Sequence, residues 1–190
     1  LDSAAVAAIA NQSIDIRAFN ANAQGNTYGY TAGGIGAAYT PSYNVIDKFL
    51  FASNANATDV GNLTSVLWSA SAQQSLTYGY ISGGGTGNGT NPTGTNRVQS
   101  WSFASNANTV WTGAYITAMK HNVAGASSST DGYIMAGFLN ASTQHGVIEK
   151  FPFSTNASSA QTGLLTLARF APGSNSSATR GYAVGGATSP

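Results

Sequence analysis

Apolar and polar positions alternate along three stretches of the chain in nearly the same wording. They are Val45-Ile46-Asp47-Lys48-Phe49-Leu50-Phe51-Ala52-Ser53-Asn54, Val98-Gln99-Ser100-Trp101-Ser102-Phe103-Ala104-Ser105-Asn106 and Val147-Ile148-Glu149-Lys150-Phe151-Pro152-Phe153-Ser154-Thr155-Asn156. Each predicts a strand whose aromatics, at i and i+2, share one face of a sheet. The Asn-rich end of each copy predicts a turn, because Asn tolerates the left-handed region and its side chain bonds nearby backbone. Upstream of each copy stands a second short strand ending in small residues: Tyr28 to Gly34, Tyr78 to Gly84 and Asp131 to Gly137, with a fourth from Arg180 to Gly186. Their Gly-Tyr pairs begin at 29, 79, 132 and 181, in steps of 50, 53 and 49 residues. A period near fifty built from short strands is the signature of a propeller blade.

The repeating unit reads as four strands. A first strand is expected over residues 14–20, 65–72, 119–126 and 167–173, with a basic residue twelve positions before the Gly-Tyr glycine at Arg17, Lys120 and Arg169, and Leu67 in the remaining copy. The Gly-Tyr strand and the Phe-x-Phe strand follow, and a final strand carries Gly61, Gly113 and Gly163. The expectation is an all-β propeller of about four four-stranded blades, at residues 14–64, 65–116, 117–166 and a partial blade at 167–190, after a closing strand or tail at residues 1–13. Residues 4–10 favour helix by propensity alone, yet their repeat phase matches the outer part of a blade. The partial blade stops after two strands, and an open two-stranded edge invites pairing. Val6 and Ile9 on one side, and Tyr182 and Val184 on the other, are the candidate self-assembly residues, with completion by another copy favoured over self-closure.

Composition narrows the function. Charged residues are 7% of the chain and the net charge is +1, without a basic cluster that could neutralise a phosphate backbone, so nucleic acid is excluded as a partner. With no cysteine, disulfides and thiolate metal sites are impossible. No apolar run reaches the roughly 20 residues that span a bilayer. Gly33-Gly34-Ile35-Gly36 and Gly83-Gly84-Gly85-Thr86-Gly87 lack the Gly-Lys-Ser/Thr ending of a phosphate loop, and are read as crowded backbone near a propeller axis. Asp47 and Glu149 are repeat equivalents and read as strand charges in salt bridges, not as a hydrolytic pair. His121 and His145 lack metal-pair spacing, so no cofactor is expected. The connections after the small residues vary while the strands repeat, which places specificity there. Their candidate ligand residues are Tyr39, Tyr43, Asn88, Asn91, Phe138 and Asn140, the aromatics offering flat faces to sugar rings.

The order of a basic-residue strand, a strand ending in Gly-Gly and a strand reading Val-Ile-Asp-Lys-Phe resembles the kelch repeat of β-propellers. The fuller wording from Ile46 to Thr64 is still more similar to kelch-like arrays in virion and tail-associated proteins of marine cyanobacterial phages. The likeness covers residues 14–186, departing from it at Ala136-Gly137 and in the missing Trp-centred outer strand, for which Trp111 is the nearby candidate. It implies a non-enzymatic structural and adhesive module, extracellular or on a virion surface, whose partners are other copies of itself and cell-surface carbohydrate. A propeller-type glycan hydrolase or lyase, and an intracellular kelch interaction scaffold, are the rival readings.

Overall fold

A computed structural model describes residues 27–36, 41–86, 93–139, 143–177 and 179–188. The described residues are all-β, in four antiparallel sheets and without a helix. The first sheet has the order β1 (Tyr28–Ile35), β2 (Ser42–Leu50), β3 (Thr58–Asn62). The second runs β4 (Ser71–Gln74), β5 (Tyr78–Ser82), β7 (Thr93–Ser102), β8 (Val110–Lys120), with the two-residue β6 (Gly85–Thr86) extending the β7 edge. The third is β9 (Ala124–Ser127), β10 (Asp131–Met135), β11 (Val147–Pro152), β12 (Ala160–Leu164), and the last is the pair β13 (Gly173–Ser176) and β14 (Gly181–Val184). Strand order therefore repeats as the sequence predicts, and the register between the Gly-Tyr and Phe-x-Phe strands repeats with it. The described sheets form a series and no closed ring, and residues 4–10, with Val6 and Ile9, lie outside the described residues.

The first strands start later than the sequence suggests. Residues 65–70 and 119–123 are not the body of β4 and β9; they hold the link from one sheet to the next, and Lys120 ends β8 of the preceding sheet. The basic position thus belongs to a junction. Its reason is the small residues: Ala124, Gly125 and Ala126 let β9 press against β4, where a Cβ on Gly125 would overlap the Ala72 carbonyl. Hydrogen bonds run along the same line, from Gln74 N–H to Ser127 Oγ at 2.8 Å and from Ser127 N–H to Ser176 Oγ at 3.0 Å.

Each first hairpin turns on a serine. The Ser75, Ser128 and Ser177 hydroxyls accept from the N–H groups of Tyr78, Asp131 and Arg180 at 3.0, 3.0 and 3.1 Å, the side-chain mimicry of a backbone turn that Ser provides. At the opposite strand end the small pairs turn through positive φ at Gly33, Gly83, Ala136 and Gly185. The next residue then donates across the junction: Gly34, Gly84 and Gly137 N–H groups reach the carbonyls of Leu67, Lys120 and Arg169 at 2.7, 2.8 and 3.0 Å. The small residues are required by that latch, since a Cβ on Gly33 would overlap the Leu67 carbonyl.

The core lies between sheets. Ile46, Leu63, Leu67, Ile81 and Trp101 pack the first sheet on the second, and Tyr80, Val98, Ile116, Ile134 and Phe151 pack the second on the third. The paired aromatics meet edge-on in every copy, with ring centroids 5.4, 5.9 and 5.6 Å apart for Phe49 with Phe51, Trp101 with Phe103 and Phe151 with Phe153. They do share a face.

Candidate functional site

Two positions at the sheet junctions carry the chemistry, and both sit on the third strand of each repeat. At the first, the structure places Glu149 on β11, fully buried and ion-paired with the fully buried Lys120. Its carboxylate also accepts from Thr117 N–H at 2.8 Å, Thr117 Oγ1 at 2.7 Å and Ser159 Oγ at 2.5 Å. Burial opposes its ionisation most strongly, but Lys120, Ser159 and Thr117 together hold the carboxyl below its usual range. The equivalent Gln99 on β7 accepts through Oε1 from Thr64 N–H, Thr64 Oγ1 and Thr109 Oγ1 at 2.9, 2.8 and 2.7 Å. The salt-bridged reading of Glu149 is therefore correct. Every lone pair of this carboxylate is engaged, which leaves none for proton transfer to a substrate.

The second position is the next residue: Lys48, Ser100 and Lys150. Lys48 Nζ sits 3.9 Å from the centre of the Tyr28 ring and reaches Asn106 Oδ1 at 3.4 Å, which Tyr30 OH also approaches at 3.4 Å. In the next repeat the same aromatic and Asn positions return as Tyr78, Tyr80 and Asn156, but the cation is replaced by Ser100. The short side chain leaves a cleft of about 650 Å³ lined by Tyr78, Tyr80, Ser100, Trp111, Phe153 and Asn156, with Thr and Ser hydroxyls from the turns around it. Among the described residues no Asp, Glu, Lys, Arg or His lines it. Asn156 is held at φ 50° by its turn, and its buried Oδ1 has no hydrogen-bond partner among the described residues. Trp111 is 43% exposed and has the Arg97 guanidinium 5.2 Å from its ring centre. Burial raises the Tyr80 phenol above its ordinary pKa, so it stays a neutral donor and acceptor. Such a lining can stack an apolar ring face and exchange hydrogen bonds with hydroxyls, and supplies no acid–base pair.

The sequence-predicted ligand residues lie elsewhere. Tyr39, Asn88, Asn91 and Asn140 are outside the described residues. Tyr43 is exposed on β2, at the other end of the sheets from the cleft. Phe138 is corrected: it is 7% exposed, exchanges backbone hydrogen bonds with His121 and stacks on Phe170 at 4.3 Å, so it presents no face to a ligand. Tyr182 and Val184 are exposed on β14. The variation of the connections after the small residues points there for specificity, whereas the cleft forms at the serine turns. Its signal lies in the sequence: Ser100 breaks the Lys48 and Lys150 row, and Trp111 stands eleven positions on.

Among the described residues no group of three His, Cys, Asp or Glu could hold a metal ion, and no helix is long and apolar enough to cross a membrane. His121 is packed between Trp68 and Phe138, and burial lowers its pKa. No family model matches the chain, and no curated protein matches it.

Proposed function

We propose that the chain is a non-enzymatic structural and adhesive module, a kelch-like propeller array of an extracellular or virion-surface appendage, and that it contacts carbohydrate through the cleft at Ser100. The propeller reading is supported by the repeated strand order and by the first strands β4, β9 and β13 packing side by side. The binding reading rests on one observation: where the first junction is filled by Lys48, the second is open, neutral and faced with Tyr78, Trp111 and Phe153 beside Asn156 Oδ1, which has no partner among the described residues. Aromatic faces beside polar tips suit sugar rings, and a cleft of about 650 Å³ is within the usual range for small-ligand sites.

The test is a glycan array followed by titration of hits through tryptophan fluorescence. Trp111→Ala is expected to weaken binding about tenfold or more, as loss of one stacking face and its buried area would. Ser100→Lys, which copies the closed junction, is expected to abolish it while the thermal melt is retained. An array without hits, or hits that survive Ser100→Lys, would sink the carbohydrate reading.

A further inference from the structure

Resting on the carbohydrate reading of the Ser100 cleft, we infer that the sugar it takes is a cationic amino sugar, whose ammonium occupies the place that a lysine side chain fills in the neighbouring repeats. The residue after the acid or amide of the Phe-x-Phe strand lies opposite the Gly-Tyr tyrosine in every copy: Lys48 opposite Tyr30, Ser100 opposite Tyr80 and Lys150 opposite Tyr133. In the first copy the Lys48 ammonium lies 3.9 Å from the centre of the Tyr28 ring and 5.7 Å from that of Tyr30, with Asn106 Oδ1 at 3.4 Å. In the third, Lys150 Nζ lies 3.8 Å from the carboxylate of Asp131, which holds the sequence position of Tyr28. Two different surroundings thus receive a cation at one place in the fold.

The second copy keeps the first copy's receptor and lacks its cation. Tyr78 and Tyr80 hold the positions of Tyr28 and Tyr30, with ring centroids 6.5 Å apart and planes at 52°. Asn106 and Asn156 turn through nearly the same backbone angle, φ 48° and 50°, so the two turns present their amides alike. Asn106 Oδ1 is met by Lys48 and Tyr30, whereas Asn156 Oδ1 is buried without a hydrogen-bond partner among the described residues. A carbonyl oxygen closed off in this way calls for a donor, and an ammonium supplies donors together with a charge that aromatic faces attract. Two fixed charges stand near the cleft: Arg97 lies over Trp111, 5.2 Å from its ring centre, and Asp131 accepts from the cleft-lining Thr130 at 2.8 Å. The carboxylate, one hydrogen bond behind the lining, favours a cation in front of it.

Size and lining extend the occupant beyond an ammonium. The cleft of about 650 Å³ is far larger than that group, and the remainder is walled by Trp111 and Phe153 and bordered by Ser129 and Ser154. A hexosamine fits both parts, because its ammonium is carried directly on a ring whose C–H face stacks on an aromatic and whose hydroxyls exchange hydrogen bonds with serines.

The test titrates the full chain, through tryptophan fluorescence at about pH 6, where a sugar amine is protonated, with the glucosamine trisaccharide and with its fully N-acetylated form. The free-amine form is expected to bind about tenfold more tightly, the scale of a cation held on an aromatic face with a hydrogen bond to a carbonyl. A net charge of +1 gives the chain no bulk attraction for a cation, so the preference is local. Tyr78→Leu, at a ring 44% exposed and outside the core, should erase most of it, and Asn156→Asp, which keeps a residue tolerant of positive φ, should widen it. Equal binding of the two forms, tighter binding of the acetylated form, or a preference that survives Tyr78→Leu overturns the inference while leaving the cleft a carbohydrate site. Array hits confined to sugars without an amine overturn it in the same way, and no binding of any sugar overturns it together with the carbohydrate reading.

Discussion

The junction between the first and second sheets and the one between the second and third are built on one plan with opposite electrostatics. In the former, Gln99 gathers Thr64 and Thr109 while Leu67 joins the apolar cluster with Ile46 and Trp101. In the latter, Glu149 gathers Thr117 and Ser159 around the buried Lys120. A neutral acceptor and an ionic one therefore serve the same geometry, and burial of the ion pair is not what makes a junction possible. Its desolvation cost offsets much of its attraction. What the pair adds is intolerance of partial change, because each charge is stranded without the other.

The largest expected effect tests that statement. Lys120→Ala or Glu149→Ala should each cost about 3–5 kcal/mol, the scale of an uncompensated buried charge, read from urea midpoints. The double variant Lys120→Leu with Glu149→Gln, which writes the first junction into the second, should return to within about 1 kcal/mol of the parent. Equal losses in the single and double variants would break the comparison.

Acid should separate the junctions next. Because the Glu149 carboxyl is held low in the folded chain, its contribution is fully present above the unfolded carboxylate pKa, about 4.3, and is lost as pH falls toward the folded value. His121 acts earlier and in the same direction: its folded pKa is lowered, so stability declines as pH drops below the unfolded value of about 6.5. Urea midpoints from pH 7 to 3 should show both steps, and the double variant should keep the histidine step while losing much of the steeper one. A chain whose stability rises on acidification would contradict both assignments.

The smallest effect concerns the latch at the strand ends. Gly83→Ala must adopt φ 66° against the Lys120 carbonyl and should cost about 1–2 kcal/mol. Ala136, at φ 63° in the next repeat, already bears that strain, so Ala136→Gly should change stability by less than about 1 kcal/mol.

Strand order, period and turn chemistry were legible because each is written several times, and repetition averages out the ambiguity of any short apolar run. What was not legible depended on departures between copies. Phe138 reads as a loop aromatic because it follows a small pair, yet its backbone bridges to His121 and its ring fills the space against Phe170. The basic positions read as first-strand residues, which sets those strands several residues early; Lys120 instead ends β8 and Arg169 precedes β13, each meeting a partner across a junction. Ser100 carried the cleft in a single substitution, which matters only beside its equivalents.

The latch from each strand end to the following repeat also orders the chain in time. Gly34, Gly84 and Gly137 find their acceptors only on Leu67, Lys120 and Arg169, each some thirty residues downstream. As the polypeptide leaves the ribosome, the last strand of a sheet must therefore emerge before the donor at the end of its Gly-Tyr strand is satisfied. Maturation would then proceed as a wave running sheet by sheet behind synthesis, with the newest sheet always the least protected from proteases. Pulse proteolysis of arrested nascent chains, cut before and after Lys120, would show the second sheet gaining protection only in the longer product.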